Sequence, residues 1–309
     1  MSRLRVAIFT DEIGWHTARL QAALRARGAS GRCVDLAACG FDTRRSWHGL
    51  RIPGFGRHLP DAAIVRGIAG GTFEQVTARL GVLHALRELG VPVYNDARAI
   101  ERSVDKSMTS FLLHRAGVPT PPIWAGESAA AARREALRAF AAGEARVLKP
   151  LFGSQGKGLA RIGHVDGAYV DVPDLAAYGG YAYLQRYVAG EAGFDWRVLV
   201  IGGKAVAAMR RVSEHWVHNV AAGARCEPAP ISGRVRDAAD LAERAAAALG
   251  LDYAGVDLLP GEDGTPQVIE VNGVAAWRGL QSVTPFDIAA RLVDDLLTRK
   301  LAARSRQAA

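Results

Sequence analysis

Cysteine is scarce: the 309-residue chain has three, Cys33, Cys39 and Cys226, with no C-x-x-C spacing and no histidine cluster beside them. This argues against a disulfide framework and a cysteine-held zinc site, and it fits a reduced, cytoplasmic setting. Long apolar runs are missing too. The early stretch Val6-Ala7-Ile8-Phe9 is far too short for a signal-peptide core or a membrane span, so neither secretion nor membrane insertion is expected. No G-x-G-x-x-G turn follows the first strand, which runs instead into Thr10-Asp11-Glu12-Ile13-Gly14; a hydride-transfer enzyme is disfavoured. The Walker A pattern is also absent, because Lys157 is followed by Gly158 rather than Ser or Thr. The formal charge of +8 comes without any Lys/Arg block interleaved with aromatics, so acidic small molecules are expected as partners rather than nucleic acid. Arg133, Arg134 and Arg138 read as the solvated face of an Ala-rich helix.

What is present is an ordinary globular balance, 49% apolar and 23% charged, over a length that suits two or three compact units. Short apolar runs and helix-period stretches alternate through residues 5–10, 16–27, 32–36, 62–66, 73–89 and 91–95. They predict a β-α-β-β-α-β unit with a mainly parallel sheet, hence an α/β class. A helix over 105–115 ends at Gly117, with Pro119, Pro121 and Pro122 beyond it, and a unit boundary is placed nearby. Ser128 caps an expected helix to about residue 142, which leads into a strand over 146–149. Further strands are expected at 183–188, 196–201 and 204–211, the last two joined by the hairpin signal Gly202-Gly203. A helix over 235–249 closes at Gly250, strands follow at 254–259 and 267–272, and a helix near 286–300 ends the fold. The expected units are 1–103, 104–188 and 189–309.

Two features carry chemistry. The strand Val147-Leu148-Lys149 runs into Pro150-Leu151-Phe152-Gly153-Ser154-Gln155-Gly156-Lys157-Gly158. Its glycines let backbone N–H groups approach phosphate oxygens, and Lys149, a charge ending an apolar strand, is expected to face a ligand. The loop is expected to act as a lid that closes over bound nucleotide. The second feature is the strand pair carrying Asp257 and Glu270-Val271-Asn272. Counting outward from Asp263-Gly264 sets Asp257 opposite Glu270, with Asn272 on the same face as Glu270. Opposed carboxylates in apolar surroundings repel, so a cation is expected, and an all-oxygen ligand set points to Mg²⁺ or Mn²⁺. Together the two features imply a bound nucleoside triphosphate.

These motifs occur in an order that resembles the ATP-grasp superfamily, and within it the RimK-type glutamate ligases. The resemblance runs through Asn95, Asp105-Lys106, Gly117-Val118-Pro119-Thr120-Pro121, the glycine loop, Leu184-Gln185-Arg186-Tyr187-Val188 and Asp195-Trp196-Arg197. It continues through Arg210-Arg211, Asn219, Gly255-Val256-Asp257 and Ile269-Glu270-Val271-Asn272. It implies an ATP-grasp fold behind an N-terminal Rossmann-like pre-ATP-grasp domain, and an ATP-dependent ligase that joins a carboxylate to an amine through an acyl phosphate. By the same resemblance, Lys106 and Lys149 contact the ATP phosphates, and Gly153, Ser154, Gln155, Gly156 and Lys157 fold over them. Gln185 and the backbone of Arg186 and Tyr187 meet adenine, and Asp195 holds the ribose. Arg211 and Asn219 lie beside the transferred phosphate, with Lys149 among the catalytic groups, and Asp257, Glu270 and Asn272 hold Mg²⁺ or Mn²⁺.

The implied partners are an acidic small molecule or peptide and an amino acid such as glutamate, with homo-oligomer formation left open. The sequence departs from the pattern at Arg186, where Glu is common, at Val217, where Arg is common, and after Asn272, where it reads Gly273-Val274-Ala275-Ala276-Trp277-Arg278-Gly279 instead of Pro-Gly. Trp277-Arg278 resembles a subgroup tied to one-carbon coenzymes, which makes a tetrahydropterin-type substrate the alternative. Trp277 itself is read as a core aromatic ahead of a stacking platform. A non-catalytic nucleotide-binding regulatory protein is the alternative of another class, and the intact Lys106, Lys149, Arg211, Asp257, Glu270 and Asn272 argue against it.

Overall fold

A computed structural model describes residues 3–44, 47–153, 156–188, 193–261 and 263–302. The first unit contains β1 (Arg5–Phe9), α1 (Trp15–Ala26), β2 (Ser30–Val34), the short pair β3 (Gly40–Phe41) and β4 (Leu50–Arg51), β5 (Ala62–Val65), α2 (Phe73–Glu88) and β6 (Val93–Tyr94). Its parallel sheet has the order β2-β1-β5-β6. The apolar runs that predict these strands are buried on both faces, as a helix-covered parallel sheet requires.

Two helices then bridge to the rest of the chain: α3 (Ala97–Val104), which the sequence reading did not separate, and α4 (Lys106–Arg115). Asp105 caps α4 by accepting from the N–H groups of Ser107 (2.8 Å) and Met108 (3.0 Å), which fixes Lys106 as the first helical residue. The middle of the chain supplies β7 (Ile123–Gly126), α5 (Ala129–Ala141), β8 (Ala145–Lys149), β9 (Ala160–Val165), β10 (Ala168–Val170) and β11 (Ala182–Arg186). These strands form an antiparallel sheet of order β10-β9-β8-β11-β7. Ser128 caps α5 as expected.

The last part contains β12 (Phe194–Ile201), β13 (Lys204–Val212), β14 (Arg225–Pro228), α6 (Arg234–Leu249), β15 (Tyr253–Pro260), β16 (Pro266–Asn272), α7 (Arg278–Gln281) and α8 (Ile288–Asp295). Its antiparallel sheet has the order β14-β13-β12-β15-β16. One face packs on α6, whose buried alanines allow close approach, and Gly250 ends that helix in the left-handed conformation. The other face shares a core with the first unit, where Val6, Ile8, Ile64 and Tyr94 meet Leu199, Ile201, Met209 and Leu292.

At that seam lies Asn95, fully buried and bonded at both ends of its amide. Nδ2 donates to the carbonyls of Tyr253 (2.7 Å) and Gly273 (2.6 Å), and Oδ1 accepts from the N–H groups of Asp252 (2.6 Å) and Tyr253 (3.0 Å). It thereby ties the end of β6 to both strands of the carboxylate pair. Asn95→Ala would strand these backbone groups without water, so denaturant unfolding should show a loss of about 2–4 kcal/mol. Unchanged stability would contradict this role for the amide.

Candidate active site

A cleft of about 660 Å³ opens between the second and third sheets, and its walls include Lys106, Lys149, Gln185, Asp257, Glu270 and Asn272. Lys106 opens a helix, Lys149 and Asn272 end strands, and Gln185, Asp257 and Glu270 lie within strands. Lys149 ends β8, and its ammonium donates to Gln185 Oε1 on the adjoining β11 at 2.7 Å. Burial pushes the Lys149 ammonium down to about 8, with Glu270 and Asp257 pulling the other way and Lys106 reinforcing the fall. Lys106 is lowered as well, again by burial first, against the pull of Glu270 and Asp105. Its ammonium reaches the carbonyl of Gly153 at 3.2 Å, so it meets the glycine loop. Gly156 in that loop has φ +68°, and a Cβ there would lie 2.4 Å from Asn219 Nδ2 and 2.9 Å from Val217 Cγ1. The loop and the Asn219 segment therefore touch across the cleft mouth. Ser154 and Gln155 lie outside the described residues.

The floor of the cleft is a ladder of charges on one face of the third sheet. Asp195 on β12 stands opposite Arg211 on β13, Arg197 on β12 opposite Asp257 on β15, and Asp257 opposite Glu270 on β16. Arg211 Nε donates to Asp195 Oδ1 at 2.7 Å and its Nη2 to Asp195 Oδ2; Nη2 also lies 3.1 Å from Asp257 Oδ2. Arg197 grips Asp257 with Nε on Oδ1 and Nη2 on Oδ2, the latter at 2.8 Å. Asp195, Arg211 and Asp257 are all nearly inaccessible to solvent. Burial pushes the Asp195 carboxyl up to about 6 despite Arg211. Burial works in the same direction on Asp257, but Arg197 and Arg211 together overcome it and hold that carboxyl below the usual range.

This geometry bears on three expectations. The charge of Asp257 is already offset by two guanidinium groups, so repulsion from Glu270 does not by itself demand a metal. Both oxygens of Asp195 are taken by Arg211 in a buried position, which suits a residue that holds Arg211 in place better than one that meets a ribose. The N–H groups of Arg186 and Tyr187 donate to the carbonyls of Pro122 (2.9 Å) and Ala145 (3.0 Å), which leaves the carbonyls of these two residues as the backbone groups that could meet an adenine. Trp277 is a core residue, 1% exposed, and offers no face for a pteridine to stack on.

Arg197 is the site residue that the sequence reading left without a role. Its place two residues from Asp195, hence on the same strand face, is the signal that marks it. Among the described residues, no three His, Cys, Asp or Glu side chains gather as a metal cluster. Both Asp257 oxygens are taken by Arg197 and Arg211, whereas Glu270 and the Asn272 amide supply hard oxygens on the cleft wall. That set fits Mg²⁺, which is commonly held by one or two carboxylates plus substrate phosphates.

Because Arg211 neutralises two buried carboxylates, Arg211→Met should cost about 3–5 kcal/mol of stability in denaturant unfolding. A variant as stable as the native chain would show that the ladder is not paired as described.

Comparison with known proteins agrees with this architecture. The RimK PreATP-grasp domain family matches residues 4–100 and the RimK-like ATP-grasp domain family matches residues 103–296. The chain is 32% identical over 249 residues to the tetrahydromethanopterin:alpha-L-glutamate ligase of Methanosarcina acetivorans, covering 71% of this chain and 74% of that protein. It is 30% identical over 295 residues to the ribosomal protein bS6--L-glutamate ligase of Salmonella newport, covering 94% of each. Its fold is similar to that of the ATP-grasp ligase PsnB complexed with a phosphomimetic variant of its minimal precursor, Mg and ADP. That likeness has a TM-score of 0.72 at 24% identity and covers 97% of this chain and 98% of PsnB. The chain belongs to the RimK-like ATP-grasp family, whose members are carboxylate–amine ligases.

Proposed function

We propose that the protein uses ATP to join glutamate, or a similar amino acid, to the carboxylate of a small molecule or peptide. The observation that carries this reading is the placement of Lys106, Lys149 and the glycine loop over a sheet face bearing Glu270, Asn272 and the paired arginines, all in one cleft. The acceptor carboxylate attacks the γ-phosphorus and ADP leaves; the amine then attacks the acyl carbon, the C–O bond to phosphate breaks, and orthophosphate departs. Lys106 and Lys149 take the phosphate charge. Arg211, held rigid by Asp195 and Asp257, presents fixed positive charge where the acyl phosphate and its tetrahedral adduct develop negative charge. Asn219 and the glycine loop, in contact across the mouth, would shield that intermediate from water. Glu270 and Asn272 would hold Mg²⁺, or Mn²⁺ in its place, joined by Asp257 where a guanidinium releases one of its oxygens; the ion when bound offsets charge on the phosphates. The similarity to glutamate ligases supports glutamate as the amino acid, and the unpaired cysteines suit a cytoplasmic setting. The burial of Trp277 weighs against a pterin stacked on it, although the likeness to the tetrahydromethanopterin ligase keeps a coenzyme acceptor as the second reading.

An ATP-dependent phosphate-release screen over acidic acceptors with L-glutamate tests the reading, and release that requires both an acceptor and the amino acid is the expected result. Glu270→Gln should cut that rate by about two orders of magnitude or more while leaving the melting temperature within a few degrees. Near-native turnover would remove Glu270 from the chemistry.

Lys149 supplies a second check. In the ligand-free protein it releases its proton as pH rises through about 8, whereas an adjoining phosphate favours the charged form. Binding of Mg²⁺ and a non-hydrolysable ATP analogue at pH 8 should therefore take up a proton, seen as a binding enthalpy that changes with buffer ionisation enthalpy. Lys149→Met should abolish that dependence; its persistence in the variant would contradict the assignment.

A further inference from the structure

The order β2-β1-β5-β6 means that the chain leaves β1 on one side and returns to β5 on the other, which opens a crevice beyond the carboxyl ends of β1 and β5. Residues 273–277, after β16, seal against this crevice. Arg66, directly after β5, donates from Nη1 to the carbonyl of Ala275 at 2.7 Å, and the Trp277 N–H donates to His16 Nε2 at 3.1 Å. The rings and guanidinium groups then form a chain. Arg66 lies 4.4 Å from the Trp277 ring centre, Trp277 is 4.6 Å from His16, His16 is 5.0 Å from Trp15, and Arg278 lies 6.0 Å from Trp15. Ala275, Ala276 and Arg278 also line the same cleft as Lys149 and Glu270.

In this corner Arg19, 6.0 Å from the Trp15 ring centre, is paired with Asp287 at 2.9 Å. Among the described residues, Arg66 and Arg278 form no ion pair, and Arg66 Nε is buried without any partner. Asp11 packs against Gly67, where an added Cβ would lie 1.9 Å from its Oδ1, and it forms no ion pair with Arg66. His16 cannot compensate: burial, then Arg66 and Arg278, push it down to about 4, so at neutral pH it is an uncharged acceptor for the Trp277 N–H. Arg278, which lines the cleft, presents its charge there without an ion pair among the described residues, and a bound carboxylate would offset that charge.

We propose that Arg278 forms an anion subsite that takes a non-reacting carboxylate of the acidic substrate, at the crevice end of the cleft, with Arg66 holding the 273–277 segment in place through Ala275. The proposal rests on the ligase reading, which assigns the nucleotide phosphates to Lys106, Lys149 and the glycine loop and leaves carboxylates as the anions still to be bound. A planar guanidinium matches a carboxylate with two parallel hydrogen bonds. The carboxylate belongs either to the acceptor or to the incoming amino acid, and two probes separate these sources.

The test uses the full chain with Mg²⁺ and a non-hydrolysable ATP analogue, and titrates L-glutamate and, separately, glutarate as an amine-free stand-in for the acceptor. Arg278 is exposed and its side chain makes no hydrogen bond among the described residues, so Arg278→Gln should keep the native melting temperature and nucleotide affinity. The variant should bind one of the probes roughly tenfold more weakly or worse, as loss of a charge-assisted pair implies. A loss confined to L-glutamate assigns the subsite to the amino acid, and a loss confined to glutarate assigns it to the acceptor. Equal affinities in native and variant protein for both probes overturn the proposal, as does a nucleotide-loaded native protein that binds neither. A native protein that binds no nucleotide overturns the ligase reading instead.

Discussion

The pairing of Arg211 with Asp195 and Asp257 is the constraint on which the site depends. Three charges buried in one sheet are tolerable only because each has opposite charge within hydrogen-bonding reach, and removing any one leaves another exposed to a low-dielectric interior. The geometry serves chemistry as well as stability. Asp195 and Asp257 hold the guanidinium from two strands, so it has little freedom to follow a negative charge and must already be where that charge develops. Arg197, which grips Asp257 from the next rung, extends the same lattice to the edge where Glu270 and Asn272 face the cleft.

Opposite this floor the chain places cations of a different kind. Lys149 and Lys106 are lysines with lowered proton affinity, restrained by Gln185 and by carbonyls of the glycine loop. The division follows from side-chain chemistry. Arginine keeps its charge when buried and suits fixed pairing, whereas lysine gives up some charge on burial and regains it when a phosphate arrives. Asn95 binds the first unit to Tyr253 and Gly273, so the loop after β16 and the crevice beyond β1 and β5 meet in a set register. The wall carrying Arg278 is thus built jointly by residues from the two ends of the sequence.

Much of this was legible in the sequence where a short local rule applied. The parallel first sheet followed from alternating apolar runs, α5 from the Ser128 cap, and the opposition of Asp257 and Glu270 from counting outward from one turn. The Asp195–Arg211 rung was not legible in that way. Counting symmetrically from Gly202-Gly203 sets Asp195 opposite Arg210, but the register shifts between Leu199 and Val200, and that irregularity brings Arg211 to the buried face while Arg210 stays at the surface beside Glu227. The use of the Arg186 and Tyr187 N–H groups was hidden for a related reason, since it depends on which strands flank β11. Trp277, read from the sequence as a core aromatic, is buried, and the first unit packs over it through a contact between residues 261 positions apart.

The central claim is that this cleft activates a carboxylate by forming an acyl phosphate. The most direct measurement is to supply an acceptor with ¹⁸O in its carboxylate, chosen from those that support phosphate release, and to analyse the products by mass spectrometry. The account predicts ADP together with orthophosphate carrying one ¹⁸O, because the C–O bond broken by the amine leaves that oxygen on phosphorus. Unlabelled orthophosphate, or AMP carrying the label, would contradict it.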